Sequence, residues 1–426
     1  MARCRRRRSE MVVCVTEIAD HNKGSRQVMT ARQWQLAHGQ AAIEWMHSSG
    51  VAQRMLSDIC AAVETTIDWL VQENPQRAQW VLRQYPKVLK CCDHLQFNDP
   101  AQALAYLILH LPDRYSRMFQ VLERLLLSGR LPLGKSDSFA AIDIGAGPGP
   151  GMFAIRSFYV ALARYATLND PSWPIAPLGT AHIVERSLAM RYVLRKFSLA
   201  LALIEQGHTT LPGADRPAPN PFAEELRRSA RPFHADHVDF TALDVRQEHQ
   251  RARRSLADEL YWEDTLELSR AGAYRLAYEE PIGRPSAYAL AVMMNFLTTT
   301  DAIPRFSEAI GRLMRGSLVP GGTILVLGGT ADKYRAIYRK LDQRARTAHL
   351  TVVAGFDDPL QAGHRDDELA ALRTLTRAIW RKLEALAGDV SQAKDELREM
   401  GAADIFDESL AFALPRFRVR AYRRGR

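Results

Sequence analysis

Cysteine is scarce in this chain of 426 residues and is absent after residue 92. The five cysteines are Cys4, Cys14, Cys60, Cys91 and Cys92. None of them has the C-x-x-C spacing that is typical of a zinc site, and their odd number argues against a framework of disulfides. The sequence therefore predicts a reducing, cytoplasmic compartment, and it indicates no metal site.

Long apolar runs are also lacking. No stretch of 18 or more apolar residues occurs, so no membrane-spanning helix and no membrane partner are expected. The apolar stretch 11–15 follows basic residues but is too short for the core of a secretory signal. Residues 1–29 are therefore predicted to be a basic, disordered tail. The length predicts two or three domains, and the hydrophobic content of 47% is ordinary for a globular protein.

Positive charge is concentrated at the two ends of the chain. The net charge is +9, and five arginines in residues 1–8 and six in residues 416–426 supply eleven charges, which leaves −2 for the rest. Basic termini can contact RNA phosphates or a ribosome. Solvation of the termini explains the same pattern, and both interpretations stay open.

The most informative stretch is FAAIDIGAGPGPGM, residues 139–152. It begins with a short apolar run that is typical of a buried strand, and it ends in good helix formers. Between them, glycine occupies the alternate positions 145, 147, 149 and 151. Glycine permits a sharp turn and the close approach of a ligand, and the start of a helix presents free N–H groups. The stretch therefore predicts a turn that binds a nucleotide cofactor.

Two classes of nucleotide cofactor are bound by such turns. The dinucleotide pattern G-x-G-x-x-G/A fits poorly, because Pro150 or Met152 stands where the last small residue is expected. The pattern acid-x-Gly-x-Gly-x-Gly fits residues 143–149 without adjustment. It resembles the first motif of class I S-adenosylmethionine-dependent methyltransferases. An NAD-dependent oxidoreductase and a glycine turn without a ligand are the alternatives.

Three later stretches extend this resemblance. The run HIVE ends in Glu185, which matches the family's acid after the second strand, an acceptor of hydrogen bonds from both ribose hydroxyls. Asp244 resembles the acid near the adenine, and LVPGGTILVL, residues 318–327, resembles the family's turn into the fifth strand. The resemblance implies S-adenosyl-L-methionine as the cofactor. The binding residues that it implies are Asp143, Gly145, Ala146, Gly147, Gly149, Glu185 and Asp244.

The resemblance also implies a fold class. This is an α/β, Rossmann-like class I methyltransferase fold, with a seven-stranded, mostly parallel sheet and an antiparallel last strand. Residues 288–294 are predicted to form the fourth strand, and residues 417–422 alternate like an edge strand. The methyltransferase domain is predicted at 136–426, with insertions near 207–235, 245–285 and 345–395. The second insertion is expected to be either a helical lid or a peripheral helix pair.

Residues 30–135 are predicted to form a helical N-terminal domain, because apolar residues recur at intervals of three and four. Four prolines predict several helices of modest length: Pro75, Pro86, Pro100 and Pro112. The segment 106–151 weakly resembles methyltransferase-like proteins of the mitochondrial small ribosomal subunit and their bacterial relatives. Those relatives commonly carry a cysteine cluster that this chain lacks. Tyr106 and Tyr115 are expected to pack at the domain junction.

No pattern identifies the catalytic residue. Methyl transfer from a sulfonium is an in-line displacement in which positioning supplies much of the rate, and a general base helps with some acceptors. The weak candidates are His234, His237, Glu279 and Asn295. The predicted methyltransferase domain has no cysteine, which argues against cytosine C5 methylation. The two prolines that amino-methylating nucleic-acid enzymes carry at this point do not follow Asn295, which argues against amino-adenine methylation.

The sequence thus predicts a methyltransferase whose acceptor is ribosomal RNA, a ribosome-associated target or a small metabolite. The alternative is a ribosome-assembly or other binding protein that binds S-adenosylmethionine without turnover. It stays open because no clear base was found.

Overall fold

The computed structural model of the chain describes residues 29–92, 95–134, 139–208, 219–229, 235–236, 288–356, 365–411, 414 and 416–425. The segment 245–285, for which a lid is predicted, lies outside these residues. Within them, no helix has both the length and the apolar character that crossing a membrane requires.

In the described residues, four helices precede the first strand, in agreement with the helical prediction for this region. They are α1 (Ala31–Ser48), α2 (Val51–Glu73), α3 (Gln76–Cys91) and α4 (Pro100–Leu127). Thr30 begins α1 with a capping box, because its hydroxyl accepts a hydrogen bond from the N–H of Gln33 at 3.3 Å. In return, the N–H of Thr30 donates to the side chain of Gln33 at 2.8 Å.

Two of the four prolines stand at helix starts, and the other two lie inside helices. Pro75 and Pro100 stand at helix starts, where the missing N–H has little cost. Pro86 and Pro112 lie inside α3 and α4. The prediction of helices of modest length is therefore wrong for α4, which has 28 residues. Most of α4 is buried, and the burial of its apolar side chains outweighs the cost of one lost backbone hydrogen bond.

Seven strands form one sheet in the order β3-β2-β1-β4-β5-β7-β6. They are β1 (Ala140–Ile144), β2 (Thr180–Val184), the two-residue β3 (Ala235–Asp236), β4 (Tyr288–Met294), β5 (Leu318–Gly329), β6 (Leu350–Val352) and β7 (Phe417–Arg424). β1 pairs in parallel with β2 and with β4. The carboxyl ends of these three strands therefore lie at one edge of the sheet, where α/β folds bind ligands.

The last strand is antiparallel, as predicted, but it is not an edge strand. β7 lies between β5 and β6 and is antiparallel to both. Its alternation arises because Phe417, Val419 and Ala421 are buried in the core, whereas Arg420 forms an ion pair with Asp342 at 2.7 Å. One of the four arginines of β7 is thus paired with an acid within the fold, and an edge position is not needed to explain the alternation.

The remaining helices cover both faces of the sheet. They are α5 (Pro150–Asn169), α6 (Leu188–Glu205), α7 (Ala223–Arg228), α8 (Ala302–Arg305), α9 (Ser307–Arg312), α10 (Asp332–Thr347), α11 (Asp366–Ala387) and α12 (Ser391–Glu399). A π-helical turn, Leu313–Ser317, and a 3-10 turn, Ala403–Ile405, accompany them.

The hydrophobic core has two parts, one on each face. Alternate residues of β4 point to opposite sides, so Leu290 and Val292 belong to the larger cluster and Ala291 and Met293 to the smaller one. The larger cluster also contains buried side chains of α1 to α6 and α11. The N-terminal helices α1, α2 and α4 pack on α5 and α6, and this brings side chains of α4 to the edge where β1 ends.

Candidate functional site

The glycine turn follows β1 directly, as the sequence predicts. Gly145, Gly147 and Gly149 have φ angles of 67°, 57° and 82°, which are left-handed values that suit glycine. The N–H of Gly145 donates to the carbonyl of Val184 at 2.8 Å. The end of β1 is thereby fixed to the end of β2, and α5 begins at Pro150.

The missing side chain has a different consequence at Gly145 and at Gly147. A Cβ on Gly145 would lie 2.3 Å from Cδ2 of Phe296, so this aromatic ring rests directly on the backbone. A Cβ on Gly147 would meet nothing closer than Cε1 of Tyr106, at 3.6 Å. Gly147 therefore faces open space beside Tyr106.

This space is a cavity of about 380 Å³ at the carboxyl edge of the sheet. The turn, the end of β2, the end of β4 and the N-terminal helices all contribute to it. Its lining residues include Cys92, Phe97, Tyr106, Arg114, Gly145, Gly147, Glu185, Arg186, Ser187, Met190, Asn295, Phe296, Asp301, Arg305 and Phe306. The structure thus brings together four residues that sequence analysis selected: Gly145, Gly147, Glu185 and Asn295.

Glu185 links the turn to α6. One carboxylate oxygen accepts a hydrogen bond from the N–H of Gly147 and the other from the N–H of Ser187, each at 2.8 Å. Burial raises the pKa of Glu185, and these two hydrogen bonds oppose that effect. Each oxygen keeps a second lone pair, so the carboxylate can accept hydrogen bonds from a ligand as well.

Asp143 lies beneath the turn and does not line the cavity. Its side chain is fully buried, and Oδ2 lies 2.9 Å from the place where a Cβ on Gly151 would stand. Neither oxygen makes a hydrogen bond of normal geometry in the described part of the chain, although the N–H of Met152 is close enough to offset some of the cost. Burial, with a contribution from the charge of Glu185, raises the pKa of Asp143 to about 7.

Two further members of the predicted binding set pack inside the protein. Ala146 is 5% exposed, and its carbonyl accepts a hydrogen bond from the N–H of Gly149 at 3.0 Å. A Cβ on Gly149 would lie 3.1 Å from Cδ1 of Leu194, on α6. Both residues shape the turn, and neither lines the cavity.

Asn295 directly follows β4 and lines the cavity. It has a φ of 52°, which is uncommon for a residue other than glycine, and its N–H donates to the carbonyl of Leu327 at 2.8 Å. The other three catalytic candidates, His234, His237 and Glu279, lie outside the described residues, as does Asp244. Their roles stay predictions.

One wall of the cavity comes from the segment between α3 and α4 and from α4 itself. The ring of Phe97 packs edge-to-face on Tyr106, with ring centroids 5.0 Å apart. The hydroxyl of Ser187 donates to the carbonyl of Phe97 at 2.6 Å, so the wall is attached to the start of α6. Tyr106 does pack at the junction, as expected, but it also lines the cavity.

The position of Cys92 corrects the argument against cytosine C5 methylation. That argument assumes that no cysteine lies near the cofactor, because all cysteines precede the glycine motif, but Cys92 lines the cavity. Burial raises the pKa of this thiol, yet a hydrogen bond with His110 and the positive charges of His110 and Arg114 outweigh burial, so the pKa lies below its usual value. Because a thiol lines the cavity, a lack of cysteine is no argument against nucleophilic catalysis at this site.

Comparison with known proteins adds little to this geometry. No protein-family model and no curated protein sequence matches the chain.

Among the described residues, no group of three or more histidine, cysteine, aspartate or glutamate side chains could hold a metal ion.

The solved structures that are similar to the chain include two with low identity. One is a protein from Galdieria sulphuraria provisionally named a sarcosine dimethylglycine methyltransferase, with 11% identity, 74% of this chain and 86% of that chain covered, and a TM-score of 0.32. The other is Haemonchus contortus phosphoethanolamine N-methyltransferase 2 in complex with phosphomonomethylethanolamine and S-adenosylhomocysteine, with 14% identity, coverage of 78% and 60%, and a TM-score of 0.31. At these TM-scores, neither likeness bears on the cofactor or the acceptor of this protein.

Proposed function

We propose that the protein binds S-adenosylmethionine in this cavity and transfers its methyl group to an acceptor. The observation that carries the proposal is the meeting of Gly147 and Glu185, which are 38 residues apart in the sequence and are joined by a hydrogen bond of 2.8 Å at the cavity. The acceptor is ribosomal RNA, a ribosome-associated target or a small metabolite.

The residues of the cavity fit the cofactor in chemistry. The free lone pairs of Glu185 suit the two ribose hydroxyls, which need an acceptor. The bare backbone at Gly147 permits a ligand to approach closely. Apolar side chains such as Phe97 and Met190 line the same space and suit the flat faces of a nucleoside.

When bound, S-adenosylmethionine supplies a methyl group on a positively charged sulfur. The part of the protein is to hold the two reactants in line and to exclude water. The rings of Phe296 and Phe306, 4.7 Å apart, form an apolar border of the cavity next to Asn295. The amide of Asn295 can both donate and accept a hydrogen bond, so it can orient an acceptor.

Glu185→Gln is expected to weaken the binding of S-adenosylhomocysteine by about 10- to 100-fold. The neutral amide keeps one acceptor oxygen but replaces the other with a donor, and a hydrogen bond to a charged group contributes about 1.5 to 3 kcal/mol. Isothermal titration calorimetry on the wild type and the variant measures the change.

A ligand modified at the ribose supplies the control for this prediction. An analogue without the 2′-hydroxyl should bind the wild type more weakly, and Glu185→Gln should add little further loss, because both changes remove the same hydrogen bond. If the two losses add in full, Glu185 does not contact the 2′-hydroxyl. Exposed Glu396→Gln, on α12, should leave both affinities unchanged.

Binding without turnover is the second candidate function. It is favoured by the described lining of the cavity, whose carboxylates are Glu185 and Asp301 and which includes no histidine. Glu185 already accepts two backbone hydrogen bonds, which leaves it poorly placed to act as a base. Incubation with methyl-labelled cofactor and separate RNA, ribosome and metabolite fractions distinguishes the two functions. Label in a fraction supports transfer, and cofactor binding with no label in any fraction supports the second candidate.

A further inference from the structure

Arg114 is a buried cation at the wall of the cavity. It lies on α4, is 7% exposed and is among the residues that line the space next to the glycine turn. Removing a guanidinium group from water is costly unless an acid or several acceptors replace the lost hydration. A buried arginine that faces a cavity therefore needs hydrogen-bond acceptors, either from the protein or from a ligand.

Within the described part of the chain, Arg114 forms no ion pair with a carboxylate. Its contacts are the ring of Tyr106, with the guanidinium carbon 4.5 Å from the ring centroid, and Sγ of Cys92, 3.9 Å from Nη2. A thiol is a weak acceptor, and five N–H groups are available on the guanidinium. Most of the hydrogen-bonding capacity of Arg114 is thus unused.

Two other buried arginines in the described residues form ion pairs with acids. Arg117, one turn further along α4, forms an ion pair with Asp113 at 2.7 Å. Arg156, on α5, forms two hydrogen bonds with Glu205, at 2.7 and 2.8 Å. Arg377, on α11, instead donates to three backbone carbonyls, at 2.8 to 2.9 Å. These three arginines have oxygen acceptors within the protein, whereas the acceptor of Arg114 within the described residues is a thiol.

The position of Arg114 places it near the glycine turn. Tyr106 stands between them, because one side of its ring approaches Gly147 and Arg114 stacks on the ring. Arg186 and Arg305 line the same cavity, against the two acids Glu185 and Asp301. The charged groups of the described lining are therefore positive in balance, which favours a ligand that carries a negative group.

We propose that Arg114 binds a carboxylate or phosphate group of a ligand in the cavity. Its planar fork forms two parallel hydrogen bonds with such a group, and Tyr106 holds the fork in place. The anion has two sources, the carboxylate of the amino-acid part of the cofactor or an anionic group on the acceptor. The first source rests on the proposed function, whereas the second is independent of the identity of the cofactor.

Arg114→Met tests the proposal, because methionine keeps the apolar stem and removes the charge. S-adenosylhomocysteine and 5′-methylthioadenosine, which lacks the amino-acid part, are titrated into the full-length protein. If the cofactor supplies the carboxylate, Arg114→Met weakens the binding of the first ligand by about 10- to 100-fold and leaves that of the second unchanged. Exposed Arg305→Met, at the same cavity, is the control and should change the first affinity far less.

Cys92 reports on the second source. Iodoacetamide alkylation of Cys92 is measured by mass spectrometry in a Cys91→Ser background. Inorganic phosphate on Arg114 should slow alkylation at least severalfold, because it covers the thiol and cancels the charge that favours the thiolate. Phosphate should have no effect in Arg114→Met. This outcome, together with an unchanged affinity for S-adenosylhomocysteine, assigns the anion to the acceptor.

Thermal unfolding separates a binding role from a structural one. An unpaired buried cation destabilises the protein without its ligand, so Arg114→Met should unfold at the wild-type temperature or above it. Arg114→Lys keeps the charge without the fork and should lose about 10-fold of the affinity for the anion, and it tests the proposal if the methionine variant fails to fold. The proposal is overturned if Arg114→Met changes neither the affinity for S-adenosylhomocysteine nor the protection by phosphate. If the wild type binds neither nucleoside, the proposed function fails, and the phosphate experiment still decides the role of Arg114.

Discussion

Gly147→Arg is expected to abolish cofactor binding, with a loss of affinity of at least about 100-fold. The backbone at Gly147 has a φ of 57°, which disfavours any side chain, and its open side faces the cavity. An arginine there would occupy the ligand's space and would place a second positive group near Arg114, so the lost contacts and the steric overlap act together. Calorimetric titration with S-adenosylhomocysteine measures the effect.

Gly401→Arg is the matched control for this experiment. Gly401 also has a left-handed φ, of 70°, with no other atom within 4 Å of a Cβ placed on it, and it follows α12 away from the cavity. Both variants should carry a similar backbone strain, on the order of 1 kcal/mol. Only Gly147→Arg should lose binding. Equal losses in the two variants would mean that the effect is general destabilisation, and unchanged binding in Gly147→Arg would place the ligand elsewhere.

Asp143→Asn is expected to stabilise the protein increasingly as the pH rises from 5 to 8. The pKa of the buried carboxyl is raised from 3.8 to about 7, so the folded state holds its proton where the unfolded state has released it. Its contribution to stability is fully present below pH 3.8 and is lost as the pH rises to about 7. At pH 8 the raised pKa of Asp143 therefore lowers the free energy of unfolding of the wild type by about 4 kcal/mol. Asparagine does not titrate, so Asp143→Asn removes this pH dependence.

Urea unfolding of the wild type and Asp143→Asn at pH 5, 6, 7 and 8 measures this difference. Asp389→Asn is the control, because hydrogen bonds from the N–H and the hydroxyl of Ser391 lower the pKa of Asp389. A lowered pKa gives stability that is lost only as the pH falls through the acidic range, so the effect of Asp389→Asn should be constant from pH 5 to 8. A difference between wild type and Asp143→Asn that does not change with pH would contradict the buried, neutral state of Asp143.

Local motifs in the sequence identified one side of the cavity. The glycine turn and Glu185 could be found because each stands directly after a short apolar run, and parallel strands bring their carboxyl ends to one edge. The opposite wall could not be found in this way. Cys92, Phe97 and Arg114 reach the site only through the packing of α4 against α5 and α6, and no local pattern encodes that approach.

The surroundings of a residue were harder to predict than its position in the fold. Asp143 stands where the family motif places an acid, yet it is buried beneath the turn and not exposed to the cavity. β7 has the alternation of an edge strand, yet β6 pairs with its outer side. In both cases the local sequence predicted the strand correctly. The neighbours that decide the burial of Asp143 and the pairing of β7 come from segments distant along the chain.

Titration of the wild-type protein with S-adenosylhomocysteine and, separately, with NADH tests the central claim most directly. Gly147, Glu185 and the cavity between them predict binding of S-adenosylhomocysteine at one site per chain and no binding of NADH. Binding of NADH alone would point to hydride transfer. If folded protein binds neither, the glycine turn and Glu185 do not form a nucleotide site, and the proposed methyltransferase function is wrong.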